Sequence, residues 1–493
     1  MSYIYRMTLN KIRGGKKREM PRSDVGVYGL GVMGESIALN MARNGYRVSV
    51  YNRTPEKTRR FISDRGAARG IEGYYDLTEF VKSIARPRKI VIFVKAGSPV
   101  DEVISLLMPQ LERGDILIDC GNSHFRDSDR RYKTLSMHGI HFLGIGVSGG
   151  EEGALKGPSM MAGGSAEGYS EMREILDKIS AKYEDSPCVA YFGEGGAGHF
   201  VKIIHNGVEY SIMQSIAEAY QFLSIVYGLG TEAIGEIFAE FNRGELSSFL
   251  MEAASRVLLF KDEETGTPLV ELILDEAEQK GTGLWTSQAA MELGVPAPSI
   301  EEAVIARLIS TRRRSYSVTG LLNGKNYPTA SEKEANIELV RDTLKLCFIT
   351  SYLQGLDILH EGSSTLKYGF DVTEATRVWR AGCIIRSRII HEIYSILRNR
   401  GPSANPVNEV IKHYSENIKT NISSTIKYIQ LSLSNMIPVP VTCSILNYLY
   451  SITRKRLPAN LIQALRDYFG AHTFRRIDKE GQFHSNWGKI ISD

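Results

Sequence analysis

The run Asp24-Val-Gly-Val-Tyr-Gly-Leu-Gly-Val-Met-Gly34 restricts the fold more than any other stretch of this chain. A short apolar strand leads into Gly29, Gly31 and Gly34. Helical spacing follows over Glu35–Asn44, Gly45 stops it, and a second strand is expected over Tyr46–Tyr51. In such a β-α-β unit the glycines permit a tight turn, close approach of backbone to a pyrophosphate, and packing of helix on strand. The anion then rests on the helix N-terminus. A lone G-x-G-x-x-G is weak; its place between two strands gives it weight. Gly29, Leu30, Gly31, Val32, Met33 and Gly34 are therefore candidate cofactor contacts. The second strand ends in Asn52-Arg53-Thr54, where an NAD site would place an acid on the ribose 2′-hydroxyl. An amide, a guanidinium and a hydroxyl suit a 2′-phosphate instead, so NADP is the expected cofactor.

The alternation continues. Strands are expected at Lys89–Val94, Asp115–Asp119 and Ile140–Val147, with helices over Pro99–Leu111 and Asp127–Met137. Their carboxyl ends carry Lys95-Ala96-Gly97, Cys120-Gly121-Asn122-Ser123 and Ser148-Gly149-Gly150, where an open parallel sheet holds its ligand. Each alone reads as turn chemistry; together they read as one site. Ser159–Ala162, a helix from Ala166 to about Lys182, and Val189–Phe192 complete this domain.

A glycine turn over 193–198 leads into Gly198–Tyr210, G-H-F-V-K-I-I-H-N-G-V-E-Y. On a helix Lys202, His205, Asn206 and Glu209 share one face. The lysine and the carboxylate are separated by about 10 Å at roughly 1.5 Å of rise per residue. A small substrate fits between such a base and acid. An isolated K-x-x-H-N-x-x-E is a solvated polar face; the nucleotide-binding pattern before it shifts the reading to a site. Beyond residue 198 helical patterns run to about 455. Capping boxes are expected at Ser299–Glu302 and Ser331–Glu334, helix ends at Gly294 and Gly320, and buried helices over Leu339–Leu359 and Val372–Leu397. Gln279–Thr286 reads as a polar turn between helices, with Arg307 on a helix soon after. Asn460–Phe469 can be one more helix. The aromatic tail that follows, with His472, Phe474, Phe483, His484 and Trp487, is expected to dock on its own domain or on a partner subunit.

At 493 residues, 43% hydrophobic and 24% charged, the composition is that of a soluble globular chain with several domains. Sixty basic against fifty-six acidic residues leave +4, too little to argue for nucleic acid or an anionic membrane. No apolar run reaches the roughly 20 residues that span a bilayer. The five cysteines show neither C-x-x-C nor Cys/His ligand spacing, and His138 with His141 lacks a completing ligand set, so no disulfide framework and no metal are expected. The reading is a cytoplasmic protein. Met1–Arg22 is basic and lacks the apolar core of a secretory signal. It is expected to be a flexible extension or to precede a true start at Met20, with a transit peptide as the alternative.

Taken together, G-L-G-V-M-G, N-R-T, V-K-A-G, G-N-S, V-S-G-G-E-E-G, G-H-F-V-K-x-x-H-N-G-V-E-Y, K-G-T-G-x-W-T and R-D-Y-F-G-A-H-T-F resemble the 6-phosphogluconate dehydrogenases, decarboxylating enzymes of the pentose phosphate pathway. The resemblance runs from Asp24 nearly to the end. It implies a Rossmann-type α/β domain over 24–197 after an extension of 1–23, a large all-α domain over 198–455 for substrate and dimerisation, and a C-terminal tail over 456–493. It implies NADP contacts from Gly29–Gly34, Asn52–Thr54, Val94, Lys95, Ala96 and Asn122. The carboxylate end of 6-phosphogluconate would meet Asn122, Ser148, Gly149, Gly150, Lys202, His205 and Asn206, and its phosphate Tyr210, Lys280, Thr282 and Arg307. Arg466 and His472 would reach the site of the other subunit, making a homodimer. Lys202 would be the base and Glu209 the acid. Two local departures are Cys120, where glycine is common, and Ser211-Ile212 in place of Gly-Asp. Two rival readings are a plain β-hydroxyacid dehydrogenase, which would not need the large helical region, Lys280, Arg307 or the tail, and a catalytically dead NADP-binding regulator, against which the intact Lys202, His205, Asn206 and Glu209 speak.

Overall fold

A computed structural model describes residues 22–279, 281–318, 336–401 and 404–487. Valine and isoleucine runs bounded by glycine turns form eight strands of one sheet: β1 (Val25–Tyr28), β2 (Val48–Tyr51), β3 (Glu72–Tyr74), β4 (Lys89–Ile92), β5 (Ile116–Asp119), β6 (His141–Ser148), β7 (Ser159–Gly164) and β8 (Val189–Tyr191). Their spatial order is β8-β7-β6-β5-β4-β1-β2-β3. The first six are parallel in the order of a dinucleotide-binding sheet, with the switch point between β1 and β4. Beyond these six the parallel pattern is broken: β7 runs antiparallel to β6, and β8 is parallel to β7. A short helix, Gly150–Lys156, returns the chain to the same edge without the long crossover that a parallel neighbour requires. Strand β3 and the helices Pro55–Phe61 and Leu77–Ser83 went unread because their apolar runs are too short for a periodic signal.

Helix α1 (Val32–Arg43) follows the glycine turn, ending with Asn44 as C-cap and Gly45 at φ +88°. Helix α2 (Ala197–Val226) is the axis of the molecule: thirty residues span about 45 Å at 1.5 Å per residue. Its first turns lie on β6 and β7, and its remainder is enclosed by other helices. The close approach depends on absent side chains. A Cβ on Gly146 would stand 2.3 Å from Lys202 Cβ, and one on Gly198 would stand 2.4 Å from the carbonyl oxygens of Gly144 and Met161. Around α2 pack α3 (Phe249–Leu259), α4 (Thr282–Leu293), α5 (Pro298–Arg312), α6 (Ile337–Thr365), α7 (Arg388–Arg398), α8 (Pro406–Ser434) and α9 (Pro440–Thr453). Their apolar faces form one core that includes Phe200, Ile204, Phe222, Tyr352, Trp379 and Tyr428.

Three local expectations are corrected. Ser299 does not cap α5: the helix starts at Pro298, and Ser299 is buried with its hydroxyl donating to Gln354 Oε1 at 2.7 Å. Val372–Leu397 is not one helical stretch but Val372–Val378 and α7, because Gly382 takes φ +68° and Ser387 caps a new start. The expected helices reaching Leu111 and Lys182 stop at Leu107 and Ile179. Gly320 and Ser331–Glu334 lie outside the described residues.

The tail carries α10 (Ala459–Gly470) and an isolated bridge between Phe474 and Phe483. Asp467, fully buried, ties this unit together. It accepts from Thr473 N, Ser485 N and Trp487 Nε1 at 2.8 to 3.1 Å and contacts His484 Nδ1 at 2.9 Å. By contrast Leu461, Ile462, Leu465, Tyr468 and Phe469 of α10 are all more than half exposed.

Candidate active site

The cofactor side is shaped by backbone. At Gly31 an added Cβ would meet nothing within 4 Å, whereas at Gly34 it would lie 2.0 Å from Gly29 O. Gly31 thus leaves an open cradle at the start of α1, and Gly34 lets that helix sit on the turn. These residues fit a bound pyrophosphate. Leu30 N donates to Asn52 Oδ1 at 3.0 Å, joining the glycine turn to the end of β2. Asn52 Nδ2 donates to Thr54 O at 3.1 Å, and Arg53 and Thr54 present exposed side chains beside it. Val94, Lys95, Ala96 and Asn122 border a cavity of about 700 Å³ closed on its far side by Gln279 and Trp285.

A residue that sequence reasoning passed over holds these loops. Arg131, 2% exposed, donates to Asp101, to Asp119 Oδ2 at 3.2 Å and to Gly97 O at 2.9 Å. Its hydrogen bonds are the largest reason why the Asp101 carboxyl is pulled down to about 2. Asp119 in turn accepts from Gly121 N and Ser123 Oγ. One buried guanidinium therefore sets the loops after β4 and β5. Its only signal in sequence was an arginine on the inner face of the Phe125–Met137 helix.

Next to the cradle a second cavity of about 500 Å³ is bordered by Asn122, Ser148, Gly149, Gly150, Lys202, Asn206 and Glu209, together with Gly31–Gly34, Cys120 and Ile384. Lys202 is 5% exposed, and burial lowers its pKa to about 8 although Glu209 acts the other way. Its Nζ donates to Asn206 Oδ1 at 2.7 Å. The protonated amine can only donate, so in that form the contact fixes the amide orientation, and Asn206 Nδ2 donates to Thr282 Oγ1 at 3.0 Å. His205 Nδ1 lies 3.0 Å from the same Oδ1 and so carries the proton, leaving Nε2 to accept from Ser148 Oγ at 3.1 Å. Burial, then the Lys202 charge, push His205 well below its usual pKa, so the ring is neutral. Burial raises the Glu209 pKa against the opposing pull of Lys202 and Arg307.

Tyr210 is stacked under Arg307, with the guanidinium carbon 3.5 Å from the ring centroid. Arg307 otherwise reaches Glu278 O and Met213 Sδ and meets no carboxylate among the described residues. Thr282 opens α4 on the left-handed Gly281, and its hydroxyl oxygen serves Asn206. Lys280 lies outside the described residues. Arg466 and His472 stand exposed on their own tail, against Gln463 and Phe469, and border neither cavity. Thr286, expected in a polar turn, lies in the first turns of α4, where its hydroxyl donates to Ile203 O at 2.6 Å and pins α4 to α2. Ile384 and Trp379, whose ring meets His205 edge-on at 5.7 Å, were assigned to a plain core helix. The glycine break before Ile384 was the signal available.

A lysine whose neutral form becomes accessible near pH 8, beside a nucleotide cradle, is what hydride removal from an alcohol requires, because the hydroxyl proton must leave as well. This places the molecule among the two-domain nicotinamide-dependent dehydrogenases. The family models described as NAD binding domain of 6-phosphogluconate dehydrogenase and 6-phosphogluconate dehydrogenase, C-terminal domain match residues 24–193 and 198–487. The chain is 46% identical to the NADP(+)-dependent, decarboxylating 6-phosphogluconate dehydrogenase of Bacillus subtilis, over 95% of this chain and all of that one. It is 44% identical to the decarboxylating 6-phosphogluconate dehydrogenase of Synechococcus elongatus at the same coverage of both chains. Among solved structures, Plasmodium falciparum 6-phosphogluconate dehydrogenase, described in apo form and with NADP+ or 6-phosphogluconate, superposes with a TM-score of 0.89 at 37% identity, covering 94% of this chain and all of that one. The chain belongs to the 6-phosphogluconate dehydrogenase family.

Proposed function

We propose that this protein oxidises and decarboxylates 6-phosphogluconate to ribulose 5-phosphate and CO₂, reducing NADP. The observation that carries this reading is the buried Lys202, depressed to about 8, on a helix that also presents Glu209 to the same cavity. Bound NADP supplies the hydride acceptor for C3 of the substrate. Lys202, as the neutral amine, takes the C3 hydroxyl proton, while Asn206 and His205 hold the amine and the substrate oxygens in place. The resulting β-keto acid has a carbonyl one carbon from the carboxylate, so the electrons of the breaking C–C bond pass to the C3 oxygen as CO₂ leaves. Lys202, now protonated, donates to that oxygen and stabilises its developing charge. Glu209, kept protonatable by burial, then delivers a proton to C1 of the enediol. Tyr210, Thr282, Arg307 and Lys280 are assigned to the substrate phosphate. The Arg307 guanidinium, unpaired with any described carboxylate, supports that assignment. Gly29–Gly34, Asn52–Thr54, Val94–Ala96 and Asn122 are assigned to NADP.

The same reading makes the protein a homodimer whose tail delivers Arg466 and His472 to the partner's site. Support comes from the apolar face of α10, left open within one chain, and from the exposed Ile305, Leu308 and Ile309 of α5 next to Arg307 in sequence. Among the described residues no helix is long and apolar enough to cross a membrane. We place the protein in the cytoplasm, and take the divisions 1–23, 24–197, 198–455 and 456–493 as its domains.

Reduced-nicotinamide absorbance with NADP and 6-phosphogluconate, with evolved CO₂ trapped in parallel, tests the reaction. Equal yields only with the phosphorylated substrate are expected; reduction without CO₂ would point to a plain hydroxyacid dehydrogenase. Replacing Arg53 with Glu should move the preference from NADP towards NAD, read as the ratio of kcat/KM values, and an unchanged ratio would remove Arg53 from the 2′-phosphate site.

A further inference from the structure

Helices α3 and α7 begin side by side. Ser248 and Ser387 form an antiparallel bridge, with Phe249 N donating to Arg386 O at 3.0 Å and Arg388 N to Ser247 O at 2.8 Å. Both caps and both first residues border one cavity of about 460 Å³. Two positive helix ends thus meet there. Arg243, Arg380, Arg386 and Arg388 border the same cavity, against a single carboxylate, Glu252, already paired with Arg256 at 2.6 Å. Arg388 reaches Glu392 at 3.3 Å. Arg243, Arg380 and Arg386 form no ion pair among the described residues.

Arg380 makes the case. It is 8% exposed, and its guanidinium carbon lies 4.3 Å and 4.0 Å from the ring centroids of Tyr183 and Tyr394. Among the described residues its one hydrogen bond runs from Nε to Arg377 O at 3.3 Å. A permanent charge held this far out of water without an anion is costly, and aromatic faces recover only part of that cost. The ends of the guanidinium remain to be satisfied from the cavity.

We propose that this cavity is a second anion site, separate from the catalytic one, which takes a phosphate-type oxyanion: inorganic phosphate or the phosphate group of a small metabolite. Guanidinium forks match tetrahedral oxyanions bidentately, and helix N-termini add backbone dipole of the same sign. A dianion answers the charge excess better than a carboxylate does. The volume leaves room for more than the ion itself, and none of the residues assigned to the catalytic cavity borders this one.

The test is calorimetric titration of inorganic phosphate, and separately of glucose 6-phosphate, into the full chain. Three proteins are compared: the natural one, an Arg307→Gln variant that weakens the substrate-phosphate site, and an Arg243→Gln/Arg388→Gln variant. A saturable phosphate event should survive Arg307→Gln and weaken by about tenfold or more in the double variant, as loss of charge-assisted bonds predicts. Turnover of the double variant in phosphate-free buffer should stay at the natural level. Tighter binding of the ester would assign the site to phosphorylated metabolites, and equal or weaker binding to free phosphate; both uphold it. Absence of a saturable event surviving Arg307→Gln, or equal affinity in the double variant, overturns the proposal. So does a double variant that changes oligomeric state with phosphate binding intact, which would make the arginines a subunit contact. Arg380→Met serves as a further probe where it folds, with the same expected loss.

Discussion

At the scale of single residues the site depends on one lysine being kept short of its ordinary pKa. Burial holds Lys202 at about 8, so at pH 7 most of it is protonated and the fraction able to act as base grows with pH. The proposed mechanism therefore predicts kcat/KM rising with pH and levelling above about 8. The same shift has a stability counterpart. Between about 8 and the unfolded value near 10.4 the unfolded chain binds more protons, so folding stability rises with pH over that window. Below about 8 the whole penalty is present, about 3 kcal/mol at 1.36 kcal/mol per unit. Lys202→Met should abolish oxidation, leave NADP binding intact by fluorescence titration, and raise stability at pH 7 by up to that amount in urea unfolding. Glu209→Gln should chiefly slow decarboxylation and protonation; unimpaired CO₂ release in that variant would remove Glu209 as the acid.

At the scale of elements, α2 presents Lys202 and Glu209, about two turns apart at 3.6 residues per turn, on one face while its first turns rest on β6. That contact runs through Gly146, and Gly146→Ala would drive a methyl to 2.3 Å from Lys202 Cβ. The helix must shift, costing about 1–3 kcal/mol as overpacking does. Thermal unfolding should record that loss, and kcat should fall with the NADP dissociation constant unchanged, because the cradle at Gly31 lies on another element. Much of this level was legible in sequence. The β-α-β turn and the K-x-x-H-N-x-x-E face are local patterns whose periods report themselves. The reversal of β7 was not, because a short apolar run such as Met160–Ala162 reads the same in either direction. Nor was the break at Gly382, since the apolar residues on both sides kept a helical period.

At the scale of the whole molecule, the tail is a small folded unit around Asp467 that turns an apolar helix face outward. Removing residues beyond about 455 should cost both dimerisation, by light scattering, and turnover. An active monomeric truncation would contradict the composite site.

What the sequence by itself determined was local and periodic: the β-α-β start of a dinucleotide-binding domain with the strands β1, β2, β4, β5 and β6, the shared face of Lys202, His205, Asn206 and Glu209 on α2, and the helical character of the larger half. Each follows from residue type at fixed spacing along one segment. Tertiary structure alone decided which distant groups meet. It decided that Thr282, 76 positions from Asn206, completes the amide that holds Lys202, and that buried Arg131 sets two cofactor loops. It also brought four arginines from two distant stretches to one cavity. Such contacts carry no period in sequence, because they come from packing elements whose separation along the chain is unrelated to their distance in space.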